Sequence, residues 1–241
     1  MGRNTASFTS YPADGTNDGN TNDVSDDIVV EQSETTYDAA SNAISSMSYQ
    51  RFHDAPSSGT GSKGPLNGPS GSNPKARIYR SYQWPDAIGR TQASANYGTN
   101  DDSRPSLIPS TSASRLVSSV TYNDAGKVET SIDPQGVVQK REYDNAGRLD
   151  IEIENFILNS TAADANNTKS YKYSSDGALK TLTWANATTG SQVTTWDYGS
   201  TRPSSGIASS QLLVKKTYPD GGDDHVDYTY NQLGELLTKI D

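Results

Sequence analysis

His53 and His225 are the only histidines in this 241-residue sequence, and so the first candidates for proton transfer near neutral pH. Neither has a nucleophile motif beside it. Gly-x-Ser-x-Gly does not occur, and Gly68-Pro69-Ser70-Gly71 lies in a Gly/Ser/Pro-rich stretch. A Ser-His-Asp set assembles from distant segments, so spacing alone does not exclude one, but nothing in the sequence points to it. Asp14 to Asn22 (DGTNDGNTN) offers oxygen ligands at alternate positions, as a calcium loop does. An EF-hand needs a Glu at loop position 12, where Ser25 stands, and flanking helices, so the segment reads as polar linker. Gly59-Thr60-Gly61-Ser62-Lys63-Gly64 echoes a phosphate loop but lacks the Gly-Lys-Ser/Thr ending and follows no apolar strand. Asp223-Asp224 beside Gly221-Gly222 reads as a solvated turn.

Three tryptophans, Trp84, Trp184 and Trp196, have faces that suit sugar rings, although aromatics are also favoured strand formers. Asn159-Ser160-Thr161, Asn166-Asn167-Thr168 and Asn186-Ala187-Thr188 are formal glycosylation sequons. Cysteine is absent, which rules out disulfides and thiolate metal sites. The chemistry-bearing residues are therefore scattered, and the elements that would position them come forward instead.

Those elements repeat. Tyr143 to Leu149 reads YDNAGRL, and 21 residues earlier Tyr122 to Val128 reads YNDAGKV. YSSDGAL from Tyr173 and YNQLGEL from Tyr230 keep Gly four residues after Tyr, at Gly177 and Gly234. Self-similarity at such a period means one structural unit used many times. In each copy an alternating β-former run leads into Tyr, turn residues follow, and Gly closes the turn. Val128, Thr130 and Ile132 share one face and Lys127, Glu129 and Ser131 the other, the period of a half-buried strand. Asn or Asp at the turn start bonds its own backbone and Gly accepts positive φ, which predicts a hairpin with a type I turn followed by a left-handed Gly. Asp133-Pro134-Gln135-Gly136 is a second turn, after which a strand from Val137 to Glu142 runs into Tyr143. The order recurs at Tyr218-Pro219-Asp220-Gly221 before Tyr230 and Gly234.

YDNAGRL, the DPQG turn and the 21-residue step resemble the YD repeats of the bacterial RHS (rearrangement hotspot) family. The match is good from about Leu116 to Leu149 and from Tyr218 to Asp241, and fair from Tyr173 to Tyr198. Upstream, YDAASNAI at Tyr37 has Ser41 where Gly is expected, and YQWPDAIGR keeps Gly89-Arg90 in a register stretched from Tyr82. The resemblance implies hairpins spiralling into a continuous sheet, which in full-length members winds into a hollow shell. Such shells enclose a C-terminal toxic polypeptide or sit in large cell-surface proteins. Family members also carry DPxG near the end of a core segment, where an aspartyl-type self-cleavage frees that polypeptide. Asp133 to Gly136 matches the four letters but sits between two repeats without the surrounding core sequence, and reads as a turn.

Composition agrees with a scaffold. The hydrophobic fraction is 32%, so the core is expected to be thin, and Tyr is used 14 times against 3 Phe, as on a partly wet sheet. A net charge of −9 disfavours nucleic acid and anionic membranes. No apolar run approaches the roughly 20 residues needed to span a bilayer, and the first residues lack the apolar region of a secretory signal. The expected organisation is a disordered polar lead over residues 1–36, degenerate repeats over 37–114 containing a Gly/Ser/Pro linker at 54–75, and a YD-repeat sheet over 115–241. Loop insertions are expected near 159–168 and 199–210.

The sequence therefore predicts an all-β chain of consecutive YD-repeat β-hairpins forming a curved antiparallel sheet, a section of a β-shell, that reads as a piece of a longer protein. It is expected to be non-catalytic, without cofactor or metal. Its structural residues are Tyr122, Gly126, Asp133, Gly136, Tyr143, Asp144, Gly147, Tyr173, Gly177, Tyr230 and Gly234. Expected partners are the remaining repeats and a C-terminal polypeptide of the parent, with self-association through open sheet edges. The parent is expected to be secreted or at the cell surface. The alternative is a cell-surface module that binds glycans through exposed Trp and Tyr.

Overall fold

The computed structural model describes residues 3–12, 23–56, 61–68, 74–100, 103–185, 190–202, 205–219 and 224–241. It is all-β. Among the described residues, fifteen strands form one antiparallel sheet whose spatial order is the chain order, each internal strand lying between its sequence neighbours. The chain divides into two compact units, residues 1–121 with 132–136, and residues 122–131 with 137–241.

The first unit contains β1 (Asn4–Pro12), β2 (Asp27–Tyr37), β3 (Ala43–Arg51), β4 (Ala76–Pro85), β5 (Thr91–Gly98) and most of β6 (Leu116–Tyr122). On β4 and β5 the period of two is nearly perfect. Ala76, Ile78, Arg80, Tyr82 and Trp84 of β4 face inward, while Arg77, Tyr79, Ser81 and Gln83 face out. On β5 the inward residues are Ala93, Ala95 and Tyr97, and the two small alanines lie in one buried cluster with Tyr82, Trp84 and Val117. The Tyr82 and Tyr97 rings meet edge to face, centroids 4.9 Å apart. A second cluster joins Val29, Tyr49, Leu66, Ala76 and Ile78.

Two expectations are corrected in this unit. Within the lead expected to be disordered, residues 4–12 and 27–36 are strand: β1 pairs with β2 from Asn4↔Thr36 to Pro12↔Asp27. Most of β1 is solvent-exposed, so backbone pairing rather than burial makes it a strand. The Gly/Ser/Pro stretch is cover for the core as well as connection. Ser62, Gly64 and Leu66 alternate as buried residues, and the Leu66 N–H donates to Gln32 Oε1 at 2.7 Å. Burying a leucine contributes about 2 kcal/mol, so Leu66 anchors this cover. The two buried clusters lie in the half of the chain where the repeats are most degenerate. The 103–112 segment closes the other end: Trp84 Nε1 donates to the Pro105 carbonyl at 3.1 Å and the Arg104 guanidinium stacks 4.8 Å from the Trp84 ring.

The second unit contains most of β7 (Val128–Ile132) and all of β8 (Val138–Tyr143), β9 (Leu149–Glu154), β10 (Asn167–Tyr173), β11 (Leu179–Trp184), β12 (Gln192–Tyr198), β13 (Leu213–Thr217), β14 (His225–Tyr230) and β15 (Leu236–Ile240). Most of its strand residues are half-buried on both faces, with Val214 and Val226 the fully buried apolar exceptions among those described. Cross-strand pairs do the work of a core. Glu152 accepts from Gln139 Nε2 at 2.8 Å, Arg141 Nε at 3.3 Å and the Tyr171 hydroxyl at 3.3 Å, and Lys169 meets Glu154 at 2.5 Å. Single exposed pairs contribute about 0–1 kcal/mol each, so a network repeated strand after strand carries more than any one of them. The 159–168 insertion is a closed loop, held by Asn166, whose side chain donates to the Ile157 and Ser160 carbonyls.

Candidate functional site: the clasp between successive repeats

The turns after Tyr122, Tyr143, Tyr173 and Tyr230 are built by the same hydrogen bonds. In the Asp144 turn, the Asp144 N–H donates to the Arg148 carbonyl at 2.9 Å and the Gly147 N–H to the Asp144 carbonyl at 2.8 Å. Asp144 Oδ1 accepts from the Ala146 and Arg148 N–H groups, both at 2.9 Å. The same main-chain pair recurs at Asn123/Gly126, Ser174/Gly177, Asn231/Gly234, Asp86/Gly89 and Asp38/Ser41. Asp, Asn and Ser substitute for one another because each offers a side-chain oxygen close enough to accept from nearby backbone N–H groups. At the fourth position φ is 78° for Gly126, 76° for Gly147, 92° for Gly177, 81° for Gly234 and 67° for Ser41. Ser41 therefore holds the glycine's left-handed conformation in the copy where the sequence breaks its rule.

The copy near Tyr82 is stretched because Pro85 stands in the tyrosine's place. Pro85 precedes the Asp86 turn and pairs with Thr91 across a bulge, as Tyr143 pairs with Leu149. Tyr82 is instead a core residue, 2% exposed. Asp133 and Gly136 form the complementary turn: the Gly136 N–H donates to the Asp133 carbonyl at 3.0 Å, the Gln135 N–H to Asp133 Oδ1 at 2.8 Å, and Gly136 has φ 86°. Tyr122 closes β6 immediately before the Asn123 turn.

Successive repeats are joined by a second set of contacts that the sequence analysis did not anticipate. The Tyr143 hydroxyl donates to the Val128 carbonyl at 2.8 Å, Tyr173 to Leu149 at 2.9 Å, Tyr198 to Leu179 at 3.2 Å and Tyr230 to Leu213 at 2.7 Å. Val128, Leu149 and Leu179 each stand two residues past the preceding turn's glycine. Burial raises the Tyr173, Tyr198 and Tyr230 phenols above their ordinary range, so they remain donors well into alkaline solution.

At two of these joins a basic residue between that glycine and the acceptor completes the clasp. Lys127 Nζ lies 5.4 Å from the Tyr143 ring centroid, and Arg148 Cζ lies 4.6 Å from that of Tyr173. The same side chains pass over the next turn: a Cβ on Gly147 would meet Lys127 Cε at 3.0 Å, and one on Gly177 would meet Arg148 Nη1 at 3.9 Å. Arg148 also donates to the Ser174 carbonyl at 3.2 Å and pairs with Asp144 at 2.8 Å. The Arg148 N–H and guanidinium hold the Asp144 carboxyl below its ordinary pKa. The available signal was the basic residue after Gly126 and Gly147; the carbonyl acceptors leave no mark on sequence.

The other candidates are not gathered into a site. His53 is exposed in the first unit, whereas His225 in the second lies 3.4 Å from Asp227. Among the described residues no cluster of three or more His, Cys, Asp or Glu is placed to hold a metal ion. The calcium-like Asp14 to Asn22 segment, Gly59-Thr60, Pro69 to Gly71, the Asp220 to Asp223 part of the later turn and the Asn186 sequon lie outside the described residues. Trp84 is 4% exposed and cannot be a sugar platform, whereas Trp184 is 42% exposed with Lys169 Nζ 4.5 Å from its ring. A cavity of about 640 Å³ under the last turn is lined by Ile207, Leu212, Tyr230 and Leu233 among others.

No family model matches the chain, and no curated protein matches it in sequence. Solved structures are similar to it along most of its length. A crystal structure of TcdB2-TccC3-TEV aligns with 91% of this chain at 13% identity and a TM-score of 0.47. The Photorhabdus luminescens Tc holotoxin pore aligns with 88% at 11% identity and a TM-score of 0.35. A porin-like protein from Bacteroides uniformis aligns with 87% at 13% identity and a TM-score of 0.34, across 82% of its own length. This chain spans 12% and 13% of the two toxin chains.

Proposed function

We propose that this chain is a non-catalytic structural segment: consecutive YD-type hairpins forming part of the β-shell wall of a larger, secreted or surface-exposed protein, which encapsulates or presents a C-terminal effector. The observation that carries the reading is the clasp itself. Tyr143, Tyr173, Tyr198 and Tyr230, each ending a strand, use their hydroxyl on a neighbouring strand's backbone. Residues conserved in type from repeat to repeat thus serve joining rather than substrate. Asp133 is accounted for in the same way, since its carbonyl and carboxylate both cap the turn that Gly136 closes.

The test is intact-mass spectrometry of the purified chain after prolonged incubation, combined with hydrogen exchange. An unchanged mass with slow exchange at the strand amides is expected. Cleavage beside Asp133 that Asp133→Ala abolishes would make the segment an enzyme and overturn the reading. A glycan-binding surface module is the second reading, favoured by the exposure of Trp184. Sugar-dependent quenching of its fluorescence, lost in Trp184→Ala, would establish it in place of the first.

A further inference from the structure

We infer that the outer edge of β15 is a receptor for an antiparallel strand that ends in tyrosine, whose hydroxyl donates to the Leu236 carbonyl. The inference rests on the wall reading for its biological meaning, but its geometry is read from the clasp alone. Leu236 stands two residues past Gly234, the place that Val128, Leu149 and Leu179 hold after Gly126, Gly147 and Gly177. In each of those three cases the acceptor's partner is the tyrosine that ends the next strand, β8, β10 or β12. β15 has the same turn before it, with the Asn231 N–H on the Glu235 carbonyl at 3.0 Å and Gly234 at φ 81°. It is also the last strand in the sheet order.

The edge is apolar as well as unpaired among the described strands. Leu236, Leu237 and Ile240 are 55%, 62% and 61% exposed, an arrangement that an isolated edge strand ordinarily avoids. Strand addition at such an edge takes affinity from main-chain hydrogen bonds and specificity from side-chain contacts. Here the specifying contact is the phenol. Glu235 occupies the place of Lys127 and Arg148 and is held by Asn231 Nδ2 at 2.6 Å, so no cation from this turn covers the incoming ring. The hydroxyl bond therefore carries more of the selectivity than in the internal clasps.

The chain's own β1 does not fit as the occupant. Arg3 Cζ lies 4.6 Å from the Tyr37 ring, as Arg148 lies over Tyr173, which places β1 in the class of strands that receive a tyrosine strand. A second copy joined through β1 would set two receiving strands side by side.

A labelled peptide with the sequence of Val137 to Gly147 supplies such a strand, and fluorescence polarisation against the full chain measures its binding. The tyrosine peptide is expected to bind about 3- to 10-fold more tightly than the same peptide carrying Phe at the Tyr143 position, the worth of one hydrogen bond. Leu237→Lys with Ile240→Lys is expected to abolish binding of both while leaving the fold intact. Equal affinities would overturn the tyrosine selection, and no binding would overturn the receptor. A dimer of the chain itself, lost in the double-lysine variant, would assign the edge to a second copy instead. None of these results depends on the intact mass or the exchange of the internal strands, so failure here is separable from failure of the wall reading.

Discussion

The Tyr143 hydroxyl lies 2.8 Å from the carbonyl of Val128, a residue that belongs to the preceding turn's outgoing strand. One phenol thus fastens the end of one repeat to the start of the one before it. Because three further tyrosines make the same bond, the sheet is sewn at intervals by side chains that its backbone ladder does not require.

Tyr143→Phe and Tyr173→Phe keep the ring under Lys127 or Arg148 but leave the carbonyl without its donor. Each is expected to lower stability by about 0.5–1.5 kcal/mol, read as a lower urea midpoint with an unchanged slope.

The glycines separate two causes of intolerance. At Gly136, φ is 86° and nothing lies within 4 Å of an added Cβ, so Gly136→Ala reports the left-handed penalty alone, about 1–2 kcal/mol. At Gly147 the same penalty is joined by the Lys127 Cε at 3.0 Å. Gly147→Ala is expected to cost more than Gly136→Ala, and Gly147→Val to disrupt the hairpin. Adding Lys127→Ala should recover part of the difference in thermal denaturation.

Ser41 gives the converse. It holds φ 67° without being glycine, so Ser41→Gly relieves the left-handed cost of about 1–2 kcal/mol while adding about 0.5–1 kcal/mol of unfolded-state entropy. A small net gain in denaturation midpoint is expected.

Acid should weaken the turns. The Asp144 carboxyl is held below the ordinary carboxylate range, first by the Arg148 N–H, and Asp38 below the same range by the Asn42 side chain. Depressed carboxylates contribute stability that is complete above the unfolded pKa and lost as pH falls through the folded one. Stability is therefore expected to decline below about pH 4. Asp144→Asn, which keeps an acceptor as Asn123 does, should flatten that decline.

Alkali should act on the first unit. Burial and then the Glu34 charge push the Tyr49 phenol from 10.0 up to about 12. The folded state keeps that proton longer than the unfolded chain, so the contribution is complete below pH 10 and lost as pH rises towards 12. Tyr49→Phe should remove this loss from denaturation midpoints measured across that window.

The turns were legible because everything that makes them is local. Asp144, Gly147 and Arg148 lie within five residues, and their types suffice to predict the bonds. Where a clue was absent the physics was non-local. β1, with its run of Thr and Ser, has no apolar period and is a strand because β2 lies beside it. Leu66 looked like a lone apolar residue in a flexible stretch, and only the face of β4 explains its burial. Pro85 displaced tyrosine from its usual slot, so matching by letter put the repeat at Tyr82, three residues early. The clasp was half visible: Tyr and the basic residue could be read, but a carbonyl is common to every amino acid.

Among the described residues after Tyr198 the usual turn is missing, yet the join that follows is intact. Leu212 lies 3.7 Å from the Cβ position of Gly234 as Lys127 lies against Gly147, and the Leu213 carbonyl receives Tyr230 as Val128 receives Tyr143. Because the fastening sits outside the turn, a repeat can gain or lose a dozen residues at its tip without slipping the strands that follow. Insertions and deletions are thereby confined to the rim, where new loops can diversify while the phase of the sheet is inherited unchanged.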